Sequence, residues 1–324
     1  MVGPQAEGFD RVITAPRPGP SSTGFPLSAA RVPFPIEPSY EVKPDLQKLG
    51  NEPLLLEDAN WNEWVADKAR LLKQGGLVRT DSESARDHLG HAIRAALAYF
   101  QRHLPNGPVD SRGHFPWLGG LVLDADDMPS QLAALSMSLQ EDFALMRQTD
   151  SRGLRAIALS VAFPSGWDPG TKIGKSMLTI HEPVADNHRL QAATAAMSIA
   201  MAEKGPFVRY VWTLAGSNAR ARPVGVDDTS ALTHAEQLWF RYERQVSVPL
   251  GDSTSLFLIR VMHAPFYEVI YDQTTHSNLL AALNSMSEQM LRYKNLHHAK
   301  RLVSAWAGAP LAQHVLESSY SRGE

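Results

Sequence analysis

One of the twelve histidines, His181, lies in a segment whose residue types could bind a haem iron. It follows residues 172–180 (KIGKSMLTI) and precedes Glu182 and Pro183, so the imidazole ends an apolar turn and a proline restricts the chain beyond it. A neutral imidazole is a common axial ligand of haem iron, because such a site needs one protein nitrogen and a flat apolar slot. A lone histidine is also often structural, and its spacing alone does not separate the two interpretations.

Two further histidines, His88 and His91, are three residues apart in a predicted helix, a spacing that could bind a metal ion. No carboxylate or third histidine completes a ligand set at a clear spacing, since Asp87 falls on a different face. We therefore favour an ordinary helix surface or a satisfied pair at this position.

Three predicted strands each carry an arginine near the centre. They are Arg209 in VRYVW, Arg241 in WFRYERQ and Arg260 in LIRVM. A charged group in the middle of a strand costs free energy unless it is solvated or paired. Two interpretations stay open: a solvent-facing sheet with cross-strand Arg–Glu pairs, or arginines that line a pocket and hold an anion such as a carboxylate or propionate.

Side chains alternate between the two faces of a strand, which divides the segment around Arg241 into two sets. One face carries Trp239, Arg241, Glu243 and Gln245. The other face carries Phe240, Tyr242 and Arg244.

Composition excludes several classes of function. The 324 residues include no cysteine, which rules out disulfides, Cys-ligated iron–sulfur clusters, thiolate-ligated haem and a cysteine nucleophile. The 31 Lys and Arg residues are balanced by 34 Asp and Glu residues and form no basic block, so we expect no nucleic-acid partner. No apolar run approaches the roughly 20 residues of a membrane helix, and no secretory signal pattern opens the chain. We therefore expect a soluble, cytoplasmic protein with no membrane partner.

The elements that must position these residues form a helical zone followed by a strand zone. Periodicity and capping residues predict helices at 61–74, 82–104 and 130–146. Strands are predicted at 154–163, 207–214, 238–248 and 255–263, with helices at 188–203 and 274–300. This order predicts an α+β fold with one antiparallel sheet that holds the core.

Proline density predicts the domain boundaries. Residues 1–45 are Pro-rich and are expected to form a partly mobile N-terminal extension. Within them, residues 32–36 (VPFPI) could lie across the body as an extended strap. We predict a single domain over residues 46–307 and a C-terminal tail over 308–324.

Three segments together resemble a known family. They are residues 140–142 (QED), 162–184 and 238–245 (LWFRYERQ). Their order and spacing are similar to those of the haem-dependent oxidative N-demethylase family, which includes the haem subunit of dimethylamine monooxygenase-like proteins. The family pattern reads aromatic-Pro-Ser-x-Trp-x-Pro, Lys-x-Gly, Ile-His-x-Pro-Val and Leu-Arg-x-Glu-Arg-Gln. The similarity extends over about residues 40–300.

The resemblance implies a PAS-like antiparallel sheet that binds haem b, with a helical N-terminal region and a long C-terminal helix. The implied reaction is mono-oxygenation of a small amine with dioxygen, which removes a methyl group and releases formaldehyde. Electrons would come from NADPH through a separate reductase that carries FMN and a 2Fe-2S centre. A chain without cysteine fits this division, because it cannot hold the cluster itself.

The resemblance also implies roles for individual residues. His181 matches the Ile-His-x-Pro-Val position and is expected to be the iron ligand. Lys172 and Lys175 match the Lys-x-Gly region and could pair with haem propionates.

The Arg-x-Glu-Arg-Gln signature matches residues 241–245. Arg241 or Arg244 is expected near a propionate, and Glu243 either orients an arginine or holds a protonated amine, so Arg241 and Glu243 are the catalytic candidates. The alternative is a buried Arg–Glu network that organises the sheet. Further candidates around the haem are Arg209, Tyr210, Trp212, Phe257 and Met262, although aromatic and Met residues on strands are more often plain core.

Other functions remain open on the same scaffold. The sequence departs from the family pattern at Glu182 and at residues 185–188, which puts the substrate in question more than haem binding. The alternatives are N-oxygenation of a primary amine in a tailoring pathway, a non-enzymatic PAS-like protein that binds haem or gas, and a structural protein that has lost haem.

Overall fold

The computed structural model describes residues 32–56, 60–82, 86–103, 114–115, 121–122, 128–150, 153–270 and 272–306. Most of the predicted N-terminal extension and the whole C-terminal tail lie outside these residues. Among the described helices, none is both long enough and apolar enough to span a membrane.

Three described helices precede the long strands of the sheet. They are α1 (Trp61–Lys73), α2 (Arg86–His103) and α3 (Met128–Met137). The first two confirm the helices predicted there. The prediction of a third helix over 130–146 was wrong in its second half, because the chain leaves the helix after Met137 and enters a strand that is hydrogen-bonded on both sides. Pairing with distant strands overrides local helix propensity in this segment.

A seven-stranded antiparallel sheet forms the centre of the described fold. Its strands are β1 (Gln47–Lys48), β2 (Val78–Thr80), β5 (Asp142–Asp150), β6 (Gly153–Ser160), β7 (Phe207–Ala215), β8 (Trp239–Gly251) and β9 (Thr254–Pro265). They lie in the order β1-β7-β8-β9-β5-β6-β2. A separate pair joins β3 (His114–Phe115) to β4 (Leu121–Val122). The predicted α+β class with an antiparallel sheet is therefore confirmed.

The sheet presents two different faces because its side chains alternate. On β5, Phe143 and Leu145 join a core cluster with α1, α2 and α3. Their neighbours Ala144 and Met146 join another cluster with two helices that follow the sheet's sixth strand, α4 (Met177–His181) and α5 (His188–Glu203). The observed α5 agrees with the helix predicted at 188–203.

Residues 274–300, which were predicted to form a single helix, lie instead in three helices. After a short α6 (Phe266–Val269), the chain forms α7 (Gln273–Ser285), α8 (Glu288–Lys294) and α9 (His297–Trp306). Ser287 caps α8, since its Oγ accepts from the Met290 N–H at 3.0 Å. Asn295 ends α8 in the left-handed region with a φ of 56°. The prediction of one long helix was wrong because both breaks depend on single capping residues.

The predicted strap packs across two central strands. The ring of Phe34 stacks on Tyr210 of β7 with centroids 5.0 Å apart, and meets the edge of Tyr242 of β8 at 5.6 Å. Ile36 is buried in the cluster that includes α7, α8 and α9. These contacts hold the segment 32–36 against the sheet.

Candidate functional site

A cavity of about 690 Å³ lies against the sheet beside α4 and α5. Its volume is within the range of small-molecule and cofactor sites. Residues 34–47 and 222–226 and the end of α8 also contribute to its lining. The cavity therefore combines side chains from the sheet, from the helices α4, α5 and α8, and from the segments that connect them.

One part of the cavity wall is apolar. Its side chains come from β5, β6, β9, α4 and α5: Ala144, Met146, Ala156, Leu159, Phe257, Ile259, Met177, Ile180, Leu190, Met197 and Met201. Strand alternation explains this wall, because Ala144 pairs with Phe257 on one side and with Leu159 on the other, and all three face the same side of the sheet. A wall of this kind suits a flat apolar ligand and excludes water from it.

His181 lines this cavity at the end of α4. Its Nδ1 lies 2.8 Å from the carbonyl oxygen of Met177. A carbonyl only accepts hydrogen bonds, so Nδ1 carries the proton and Nε2 keeps its lone pair for the cavity. Burial lowers the pKa of His181 to about 4, against the effect of the Met177 hydrogen bond and with smaller contributions from Arg209 and Lys172. The imidazole is therefore neutral at pH 7, the form that binds a metal.

The helix that carries His181 is held at both ends. Ser176 caps its start, where Oγ accepts from the Thr179 N–H at 3.3 Å. At its end, the amide of Asn187 donates to the carbonyl oxygen of His181 at 2.7 Å. These contacts fix a helix of only five residues, which would be unstable alone.

The two lysines predicted to bind propionates are separated by the structure. Lys172 lines the cavity, and its Nζ donates to the carbonyl oxygen of Ile180 at 3.0 Å. Burial lowers the pKa of Lys172. Lys175 is exposed and is not part of the cavity lining. Only Lys172 of this pair is therefore placed to contact a ligand in the cavity.

Arg209 lines the cavity from β7 with an unsatisfied donor. Its Nε is buried and has no hydrogen-bond partner within the described part of the chain. Burial lowers the pKa of Arg209, while the nearby charges of Asp45, Tyr40 and Glu243 act in the opposite direction. A buried donor without a partner is costly, and an anion in the cavity would satisfy it.

Glu243 is a buried carboxylate in the lining of the cavity. Its Oε1 accepts a hydrogen bond from the hydroxyl of Ser165. Its Oε2 accepts from the side-chain amide of Gln245 at 2.7 Å. Each carboxylate oxygen therefore has one donor and retains a lone pair for a ligand.

Arg241 uses all three guanidinium nitrogens within the protein. Nε and Nη2 donate to Ser165 Oγ at 3.1 and 2.9 Å. Nη2 also donates to the carbonyl oxygen of Arg220 at 2.8 Å, and Nη1 donates to the carbonyl oxygen of Ala219 at 2.9 Å and to His263 Nε2 at 2.8 Å. The arrangement favours a role in holding two loops against the sheet over direct contact with a ligand.

Arg244 lies on the opposite face of β8 from Glu243 and is not part of the cavity lining. Its Nη2 donates to the carbonyl oxygen of Pro53 at 2.6 Å, and its Nη1 to that of Leu54 at 3.2 Å. The expectation that Arg244 meets a propionate in this cavity is corrected by this geometry, since alternation turns it to the other side.

Of the four candidates around the haem other than Arg209, three line the cavity: Tyr210, Trp212 and Phe257. Trp212 stacks on Phe240 at 5.3 Å and meets the edge of Tyr40 at 5.4 Å. Met262 is absent from the lining and packs in the cluster with α7, α8 and α9.

Sequence reasoning missed Ser165 and Tyr40. Ser165 had a usable signal, since it is the serine of the aromatic-Pro-Ser-x-Trp pattern. Tyr40 had none, because its place in the lining follows from the path of the N-terminal segment.

A metal site of His and carboxylate ligands is not present in the described ranges, where no group of three suitable side chains comes together. His91 Nε2 meets Asp252 Oδ2 at 2.9 Å, and His88 and His91 are both exposed. This agrees with the helix-surface interpretation.

Comparison with family models connects this geometry to known proteins. The model described as haem-dependent oxidative N-demethylase, alpha subunit-like, matches residues 45–304. The chain belongs to this family. The resemblance inferred from three short segments is therefore confirmed, and the matched range includes His181 and Glu243. A search of curated proteins finds no significant match.

The name of the haem-dependent oxidative N-demethylase family indicates an oxidative enzyme that depends on haem. The words alpha subunit indicate an assembly with further subunits. The residues of the cavity fit a haem: His181 offers a neutral nitrogen, the wall from β5, β6 and β9 is apolar, and Arg209 has a donor that needs an anion.

Proposed function

We propose that the chain is a haem b-dependent mono-oxygenase that oxidises a small amine with dioxygen, with electrons supplied by a partner reductase. The observation that carries this proposal is the His181 ring, whose Nδ1 is bound to Met177 and whose Nε2 is available to an apolar cavity. Family membership supplies the haem dependence, and the cavity offers one nitrogen ligand suited to it.

The apolar wall and His181 would hold the haem between α4 and the sheet. The carbonyl of Met177 fixes the tautomer and the orientation of the imidazole, as partners of metal-bound histidines commonly do. Lys172 and Arg209 both lie close enough to His181 to lower its pKa. We assign these two cationic side chains to the two propionates of the haem. A propionate oxygen would accept from Arg209 Nε, which is otherwise unsatisfied among the described residues.

Glu243 would bind the substrate as a protonated amine. It is the buried carboxylate of the cavity, while Glu37, Glu41 and Asp45 in the lining are exposed. An ammonium group donates to carboxylate oxygens through charge-assisted hydrogen bonds. The apolar wall excludes water and strengthens this attraction.

When bound, the haem supplies the dioxygen chemistry, for which a protein provides the ligand, the orientation and the charge environment. We place NADPH, FMN and the 2Fe-2S centre on the partner reductase, because a chain without cysteine has no ligands for the cluster. Oxidative N-demethylation is the favoured outcome, with formaldehyde as the second product.

The first experiment tests haem binding. The chain is purified after expression with a haem precursor, beside His181→Ala and the control His188→Ala, which changes an exposed residue of α5 outside the cavity. Wild type and His188→Ala are expected to show a Soret band that is lost or shifted in His181→Ala. A His181→Ala spectrum identical to that of wild type would remove the ligand assignment.

The second experiment tests the reaction. Haem-loaded protein is combined with NADPH, a flavin and iron–sulfur reductase and dimethylamine, and formaldehyde is measured. Formaldehyde release that depends on the haem chain supports the proposal. A haem-loaded chain that oxidises a primary amine to its N-oxygenated product supports the N-oxygenation alternative instead. Haem binding without any amine oxidation would favour a gas-binding protein.

A further inference from the structure

Ser165 makes contacts that determine the direction of its hydroxyl proton. It lies in the segment between β6 and α4, and its Oγ faces Arg241 of β8. Arg241 Nε and Nη2 lie 3.1 and 2.9 Å from this oxygen, and a guanidinium can only donate. A serine hydroxyl has two acceptor lone pairs and one proton, so both lone pairs are occupied and the proton is left for the carboxylate of Glu243.

The same chain of contacts fixes the position of the carboxylate. Ser165 donates to one oxygen of Glu243, and Gln245 donates to the other at 2.7 Å. Arg241, which holds Ser165, is itself bound to the carbonyl oxygens of Ala219 and Arg220. The carboxylate is therefore held from both sides by groups that are anchored to the sheet and to the loop.

We propose that Ser165 is a positioning residue for substrate binding: it holds Glu243 so that the remaining lone pairs meet the ammonium group of the amine. This inference rests on the proposed function and extends it, since it states that the substrate binds in its cationic form. A charge-assisted hydrogen bond is strongest when the donor points at a lone pair whose direction is fixed. A carboxylate that rotates would lose this geometry.

A merely structural role for Ser165 makes a different prediction. In that case its hydroxyl ties the loop of residues 163–166 to β8, and its loss lowers stability and weakens every ligand of the cavity alike. A positioning role weakens the cationic ligand selectively. The distinction requires one charged and one uncharged probe on the same protein.

The test uses haem-loaded full-length wild type, Ser165→Ala, Ser165→Thr, which keeps the hydroxyl, and Ser277→Ala, an exposed serine of α7 outside the cavity. Dimethylammonium binding is measured by titration calorimetry, and carbon monoxide binding to the reduced haem is measured as the neutral probe. We expect Ser165→Ala to weaken dimethylammonium about tenfold and to leave carbon monoxide affinity and the Soret band unchanged. Ser165→Thr and Ser277→Ala should bind both probes like wild type.

The outcomes separate this inference from the proposed function. Equal dimethylammonium affinity in wild type and Ser165→Ala, or equal weakening of both probes, overturns the role of Ser165 alone. A wild-type chain that holds haem but does not bind dimethylammonium overturns the amine proposal and this inference together. If Ser165→Ala does not fold, Ser165→Thr with wild-type dimethylammonium affinity together with Gln245→Leu with a selective loss of that affinity supports the fixed carboxylate, and any other combination overturns it.

Discussion

The carbonyl oxygen of Met177 and the Nδ1 of His181 lie 2.8 Å apart, one turn from each other in α4. This contact selects the tautomer in which Nε2 is unprotonated. It also means that the proposed iron ligand and the group that orients it belong to the same five-residue helix. The position of that helix would therefore decide the position of a bound haem.

Replacing His181 by glycine should leave a space for an external ligand. We expect His181→Gly to lose the wild-type Soret band and to regain it when imidazole is added, because the apolar wall of the cavity is unchanged. Absorption spectra with and without imidazole measure this. Full haem retention by His181→Gly without imidazole would contradict the assignment.

Stability should fall as the pH decreases below 6.5. Burial, followed by the charge of Arg241, lowers the pKa of His263 to about 3, and burial lowers that of His181 to about 4. Both pKa values lie below the ordinary histidine value of 6.5, so between pH 6.5 and about 4 the unfolded chain takes up protons that the folded chain does not. Each group can then remove up to about 1.4 kcal/mol of unfolding free energy per pH unit.

Urea unfolding of the haem-free chain at pH 7, 6 and 5 measures this slope. His263→Gln keeps an acceptor for Arg241 and should give a shallower fall in stability. The control His188→Gln changes an exposed residue and should retain the wild-type slope. An identical slope in all three proteins would contradict the prediction.

A buried lysine outside the cavity should matter for stability. Lys68 donates to the carbonyl oxygens of Ser136, Leu139 and Glu141 and lies 3.9 Å from Asp142. Lys68→Met should lower the unfolding free energy by about 3–5 kcal/mol, because it leaves the carboxylate and three carbonyls without their cation.

Urea denaturation of Lys68→Met compared with Lys73→Met, an exposed residue of α1, provides the measurement. The substitution of Lys68 should also disturb the cavity. Asp142, the partner of Lys68, accepts from the N–H groups of Ala162 and Phe163, which come just before Ser165. A loss below about 1 kcal/mol in Lys68→Met would show that the network adds little to stability.

Substitutions of Arg209 and Arg244 by glutamine should have opposite effects on stability and on haem retention. Arg209→Gln removes an unsatisfied buried donor, so we expect unchanged or increased stability of the haem-free chain and faster loss of haem. Arg244→Gln breaks contacts with Pro53 and Leu54, so we expect a loss of about 2 kcal/mol of stability and normal haem retention. Urea unfolding and haem transfer to a haem-free globin measure the two properties, and the same pattern in both variants would contradict the assignment of Arg209.

Local patterns in the sequence were sufficient for much of this fold. Helical spacing predicted α5 with its observed bounds, and strand alternation placed Arg241 and Glu243 on one face and Arg244 on the other. The three segments 140–142, 162–184 and 238–245 were together enough to recognise the family, since each consists of residues that are close in the chain. Such features are local, and periodicity and short motifs report them directly.

Long-range contacts decided the features of the fold and of the candidate site that local patterns did not predict. Residues 142–146 became strand because β6 and β9 pair with them on both sides. Loops that are distant in sequence decide which arginine is bound by carbonyls. Arg241 contacts the carbonyl oxygens of residues 219 and 220, whereas Arg209 Nε has no partner among the residues that the structure describes. Lys172 and Lys175 are three residues apart, yet only Lys172 lines the cavity. Hydrogen-bond partners and burial are properties of the packed chain, so no local pattern contains them.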